Sequence, residues 1–195
     1  MNRQPLVLAS RSPQRSAILT QLGVAYEVRP ADVTERDQGP PAEVVQENAR
    51  AKAQAVAAGA GSGRVVLGVD TVVSLGRRLY GKPVDEPQAR EFLTELSDHT
   101  HQVWSAIALL ECGSERVETA VTDVCFRSLD EATLDWYLAS AEWRERAGAY
   151  AIQGRGAALV ERIEGDYWNV VGLPLALLLT MMPALMQGKE ELRNL

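Results

Sequence analysis

Short apolar runs alternate along this chain with segments that carry their own helix caps, and this alternation restricts it to a sheet flanked by helices. Residues 6–9 (Leu-Val-Leu-Ala) read as a buried strand that ends in Ser10. Ser12 and Pro13 then supply an N-cap and a first-turn proline. Ile18, Leu19 and Leu22 give that helix its apolar face, and Gly23 closes it. Residues 25–29 read as a second strand. Residues 40–58 read as a long amphipathic helix with Val45, Ala49 and Val56 on one stripe, broken by the glycines at 59–63.

The pattern continues with an apolar strand over 65–69 and a hairpin over 72–80 that turns near Gly76. Asp85 caps a helix to about Leu96. Residues 101–112 and 117–126 pair as an antiparallel hairpin across Gly113 to Arg116. A capping box, Ser128-Leu-Asp-Glu131, starts a helix through about Ala139. Residues 157–163 form a further strand, and 173–186 a buried C-terminal helix. With no repeat and no linker, the expectation is one α/β unit over 1–195, with two lobes sharing a mixed sheet.

Composition narrows the function classes. A formal net charge of −6 gives no global basic field for nucleic acid. A chain of this balance that handles phosphates must use a few local cations. The apolar stretch 173–186 contains Pro174 and Pro183 and is too short to span a bilayer. No N-terminal signal is visible, and Cys112 and Cys125 lie in apolar runs without a CxxC spacing. They read as two reduced core thiols of a cytoplasmic protein.

Four segments carry chemistry. The first, Leu8-Ala-Ser-Arg-Ser-Pro-Gln-Arg15, runs from a strand into a helix N-terminus, where free N–H groups meet the positive end of the dipole. Ser10, Ser12, Arg11 and Arg15 add donors, so it reads either as a triphosphate cradle or as an ordinary cap. In the second, Asp70 ends an apolar strand, with Thr71 beside it and Gly68 able to admit a substrate close to the backbone. It reads as a chemical carboxylate or as a turn-capping one.

The third segment, Gly76 to Pro83, nearly matches a P-loop, but Pro83 stands where a metal-binding hydroxyl is required, so the match is rejected. Pro83 instead holds Lys82 extended, as a phosphate cation or a solvated lysine. The fourth pairs Gly148 to Gly154, where Gln153 can read a base edge, with residues 165–174, read mainly as a turn and helix start. Lys52 lies near the apolar stripe of its helix, where a lysine snorkels or reaches a partner. His99 and His101 lack metal-ligand spacing and read as polar residues at a strand start.

In order, these segments resemble the Maf family of nucleotide pyrophosphatases, over residues 8–174. The specific pieces are Leu8-Ala-Ser, Ser-Pro-x-Arg15, Gly68-Val-Asp-Thr71, Gly81-Lys-Pro83, Gly148-Ala-Tyr-Ala-Ile-Gln-Gly154 and Val171-Gly-Leu-Pro174. The resemblance implies an elongated Maf/ITPase-like mixed sheet with flanking helices around a cleft, a homodimer, and divalent-cation-dependent hydrolysis of a nucleoside triphosphate to monophosphate and pyrophosphate. By position it makes Asp70 the catalytic carboxylate and Ser10, Arg15, Glu35, Lys52, Lys82 and Gln153 cleft residues. Thr71 with Gln153 resembles the branch acting on dTTP and UTP rather than the 7-methyl-GTP branch. Gln14 departs from the family, standing where that branch has a specificity-linked arginine, with Arg11 the nearest substitute.

An aspartate among cations is a poor base alone, whereas Mg²⁺ or Mn²⁺ acidifies its bound water. The expectation is therefore that Asp70 works with a metal, with Glu35 as second carboxylate. A nucleotide-binding regulator, given the family's link to septum formation, is the alternative from another class. A pyrophosphatase for modified nucleotides is a third reading.

Overall fold

A computed structural model describes residues 5–61 and 63–185. One seven-stranded mixed sheet runs through it, in the order β2-β1-β3-β5-β6-β7. Strands β1 (Leu6–Leu8), β2 (Tyr26–Val28) and β3 (Val66–Leu75) are parallel to one another. On the far side of β3, strands β5 (Thr100–Glu111), β6 (Ser114–Phe126) and β7 (Val160–Glu164) continue antiparallel. The short β4 (Arg78–Tyr80) folds back on β3. The helices are α1 (Pro13–Gln21), α2 (Pro41–Ala60), α3 (Glu86–Leu96), α4 (Glu131–Leu138), α5 (Tyr167–Val171) and α6 (Leu175–Met181).

Alternation along β3 decides which face meets which helix. Leu67 and Val69 join Leu8, Leu19, Ile107, Leu173 and Leu178 in a core under α1 and α6. Val66 joins Val7, Val45, Ala49, Ala53, Ala106 and Ala108 in a small-residue core under α2. A third core, around Phe92, Leu93, Phe126, Tyr137 and Tyr150, lies under α3 and α4.

Gly68 explains why α2 lies so close. A Cβ on Gly68 would stand 2.2 Å from the carbonyl oxygen of Ala49 and 2.9 Å from Cβ of Ala53. The close neighbour of this glycine is therefore the helix, and the expectation of a substrate against its backbone is corrected.

Several boundaries move. β3 runs unbroken through Asp70, which is therefore a mid-strand residue and not the end of a run. The turn at Gly76 stands. The hairpin of β5 and β6 closes tightly at Cys112 and Gly113, so Ser114 to Arg116 already belong to β6. Asp130, not Ser128, caps α4, accepting from Thr133 N at 2.8 Å. Residues 155–159 are a 3₁₀ turn, and the strand begins only at Val160. Cys112 is exposed and Cys125 half-buried, so neither is a core thiol, although both are free.

The C-terminal helix is shorter than 173–186: α6 covers Leu175–Met181, and Pro183–Leu185 form a separate 3₁₀ turn. Gly172 has φ +121°, a conformation that only glycine adopts without strain, and Pro174 cannot continue a helix from the preceding turn. Asp166 ties α5 to α6, accepting from Trp168 N at 2.8 Å and from Ala176 N at 3.0 Å. Met186, the expected end of that helix, lies outside the described residues. Among the described residues, no helix is long and apolar enough to cross a membrane.

Candidate active site

The sheet leaves a notch at one place. On the edge of β3 away from β5, β1 pairs residues 66–67 and β4 pairs residues 73–75. Residues 68–72 have no strand neighbour on that edge, and they include Asp70 and Thr71. The chain leaves β1 toward β2 on one side and returns through α2 to β3 on the other. The carboxyl end of β1 is thus a topological switch point, where α/β sheets open a crevice. The turn from Ala9 to Ser12 and the first turn of α1 border it.

Asp70 and Thr71 point to opposite faces of β3, so each gathers a different cluster. Asp70 faces α2 and is only 4% exposed. Its Oδ1 accepts from Lys52 Nζ at 2.6 Å, and its Oδ2 accepts from Asn48 Nδ2 at 3.0 Å. Asn48 and Lys52 are one helical turn apart and share a face. The Lys52 ammonium also bonds Glu35 Oε1 at 2.9 Å, so it stands between two carboxylates. Glu35 remains half-exposed, on the loop before α2.

Thr71 faces α1. Its hydroxyl accepts from Arg15 Nη2 at 3.1 Å and pairs with Ser105 Oγ of β5 at 2.8 Å. Arg15 is held on all three nitrogens: Nη1 donates to Ser10 Oγ at 2.9 Å and Nε to the carbonyl oxygen of Gly172 at 2.8 Å. Burial lowers the pKa of this guanidinium, while the charges of Asp70 and Glu35 push it back up. Those opposing effects put both clusters in one electrostatic field. Three of the five guanidinium N–H groups are used, leaving two for an anion.

Ser10, Arg15 and Thr71 thus come together on one face of β3, and Glu35, Lys52 and Asp70 on the other. The other expected residues sit apart from these hydrogen bonds. Gln14 is turned back on its own helix cap, its Oε1 accepting from Ser12 Oγ at 3.1 Å, while Arg11 is exposed. Lys82 is exposed and bonds Glu145 Oε2 at 2.9 Å, which lowers the pKa of that glutamate. Gln153 is exposed. The segments of Lys82 and Gln153 are joined by Gly148 N donating to Gly81 O at 3.1 Å.

Two side chains escaped sequence reasoning, and Gly172 was read only as part of Val171-Gly-Leu-Pro174. Asn48 carried a readable signal, four residues before Lys52 on one helix. Ser105 faces Thr71 only through the register of β3 and β5, which no local pattern specifies. Gly172 contributes its carbonyl rather than a side chain. The histidine reading holds: His101 is fully buried and pairs through Nε2 with the Tyr150 hydroxyl at 3.0 Å.

This constellation sits in a sequence that matches the Maf-like protein family over residues 5–185. The chain belongs to the Maf family. A dTTP/UTP pyrophosphatase of Anaeromyxobacter dehalogenans is 46% identical over 177 residues, covering 88% of this chain and 89% of the relative. A dTTP/UTP pyrophosphatase of Gloeobacter violaceus is 45% identical over 179 residues, covering 91% and 94%. Among solved structures, the nucleoside-triphosphatase (dITP/XTP pyrophosphatase) of Mycobacterium abscessus is 20% identical with a TM-score of 0.41, over 65% of this chain and 76% of that one.

Proposed function

We propose that this Maf protein hydrolyses dTTP and UTP to the monophosphate and pyrophosphate. The observation that carries the reading is the contact of Lys52 Nζ with Asp70 Oδ1 at 2.6 Å in the β1–β3 notch, beside a helix N-terminus and a buried arginine. The names of the curated relatives support pyrimidine triphosphates as substrate.

The products fix the bond. Release of pyrophosphate requires water oxygen to bond the α-phosphorus while the α–β bridging bond breaks, with one water proton leaving. Arg15, Ser10 and the free N–H groups opening α1 bind phosphate oxygens. Lys52 stabilises charge that grows as the leaving group departs. Asp70 orients the water and takes its proton. Lys82 binds the outer phosphates after exchanging Glu145 for them, and Thr71 and Gln153 with Gln14 set base preference.

A divalent cation fits this donor set. Each Asp70 oxygen accepts one hydrogen bond and keeps a second lone pair, and Glu35 lies across the same ammonium. Among the described residues, no cluster of three or more His, Cys, Asp or Glu could hold a resident metal. Mg²⁺ needs only one or two carboxylates when phosphates complete its shell, and Mn²⁺ favours the same oxygen donors. Asp70 and Glu35 would hold an ion arriving with the nucleotide, where it would neutralise phosphate charge and acidify bound water.

A triphosphate panel tests the reading: dTTP, UTP, 5-methyl-UTP, 7-methyl-GTP, dATP and dGTP, with Mg²⁺ or Mn²⁺, assayed for pyrophosphate. The expected result is selective turnover of dTTP and UTP. Preference for 7-methyl-GTP would assign the other branch, and tight binding without product would make the protein a regulator.

A further inference from the structure

We propose that Asn48 is a positioning residue, which orients Asp70 and locks the Glu35 loop onto the same carboxylate. The inference rests on the pyrophosphatase reading and adds a residue to it.

Asn48 is 4% exposed, and its amide makes three hydrogen bonds to two separate parts of the chain. Its Oδ1 accepts from Arg36 N at 2.8 Å, and its Nδ2 donates to Arg36 O at 2.9 Å. The second Nδ2 hydrogen goes to Asp70 Oδ2 at 3.0 Å. This pattern admits one amide orientation. The flipped amide would turn oxygen toward a carboxylate and NH₂ toward an N–H donor.

The geometry has a purpose that a buried structural amide lacks. Arg36 follows Glu35, so a two-point grip on its backbone fixes where the second carboxylate stands. Lys52 holds Asp70 by Oδ1 and Asn48 holds it by Oδ2, so rotation of the carboxylate is blocked from both sides. A proton acceptor fixed in this way pays less reorganisation when water must be aligned. Packing fixes the donor too, since Gly68 lets α2 lie against β3 two residues from Asp70.

Two variants separate this role from a structural one. Asn48→Ala removes all three bonds. Asn48→Asp keeps the shape and the acceptor for Arg36 N, but sets a second carboxylate against Asp70. Measured with dTTP and Mg²⁺, Asn48→Ala is expected to lower kcat at least tenfold with KM within threefold. Asn48→Asp is expected to fall below Asn48→Ala in kcat, although it retains more of the native contacts. Amide exchange at Arg36 should accelerate in Asn48→Ala and stay slow in Asn48→Asp, which checks the grip without reference to activity.

A structural role gives the opposite ranking, Asn48→Asp above Asn48→Ala, and that ranking overturns the proposal. So does kcat within twofold of wild type in Asn48→Ala. Absence of pyrophosphate release from the wild-type protein would instead remove the underlying pyrophosphatase reading, and this role with it.

Discussion

Lys52 Nζ lies 2.6 Å from Asp70 Oδ1, and both side chains are nearly excluded from solvent. Such a pair is weak evidence of stability in itself, but breaking it leaves one buried charge uncompensated. Lys52→Met is therefore expected to cost about 3 kcal/mol in denaturant unfolding. Glu35, on the other side of the same ammonium, is half-exposed, and Glu35→Gln is expected to cost less than about 1 kcal/mol. Equal losses in the two variants would contradict this division.

Gly68 sets the distance between α2 and β3. The methyl of Gly68→Ala meets backbone, which cannot swing aside as a side chain could. Destabilisation of about 3 kcal/mol is expected, as for an overpacked core. Turnover should fall as well, because α2 carries both Asn48 and Lys52. A variant with native stability and activity would show that the helix is free to move outward.

Burial pushes the pKa of His101 down to about 4. Its Nδ1 has no hydrogen-bond partner, so the folded protein does not welcome a second ring proton. The unfolded chain takes that proton up near pH ~6.5. Stability is thus full above that value and is lost as pH falls toward 4, by about 2 kcal/mol between pH 7 and pH 5. His101→Gln keeps a donor for Tyr150 and does not titrate. Unfolding midpoints of the two proteins should converge as pH falls, and parallel curves would refute the assignment.

Lys82 and Glu145 form an exposed pair, so Lys82→Ala should change stability by less than about 0.5 kcal/mol. Its KM for dTTP should rise roughly tenfold if the ammonium trades Glu145 for phosphate, the worth of one charge-assisted contact. An unchanged KM would leave Lys82 as a solvated lysine.

Much of the fold was legible because it rests on local signals. Ser12 with Pro13, Asp85, Gly76 and the stripe of Val45, Ala49 and Val56 act within a few residues of themselves. Errors fell where distant contacts decide. β3 continues past Asp70 because β5 pairs it from Val66 to Ser74, a register unreadable in the strand itself. Gly68 advertised room near its backbone, and only the packing reveals that α2 occupies it. The apolar run from Leu173 looked continuous, yet α6 covers only Leu175–Met181 and Met182 leaves the helical conformation before Pro183.

The site divides in the same way. Ser10, Arg15, Asp70 and Thr71 belong to motifs, and Lys52 and Glu35 gained meaning only from the family resemblance. Asn48 and Ser105 became visible once the sheet and helix were placed, since each acts through a neighbour distant in sequence.

The most direct measurement follows pyrophosphate and dTMP from dTTP with Mg²⁺, in wild type and Asp70→Asn, alongside equilibrium dTTP binding to the variant. Wild type is expected to release one pyrophosphate per dTMP, and Asp70→Asn to lose at least 10³-fold in kcat with dTTP still bound. Release by Asp70→Asn at the wild-type rate would remove Asp70 from its catalytic role.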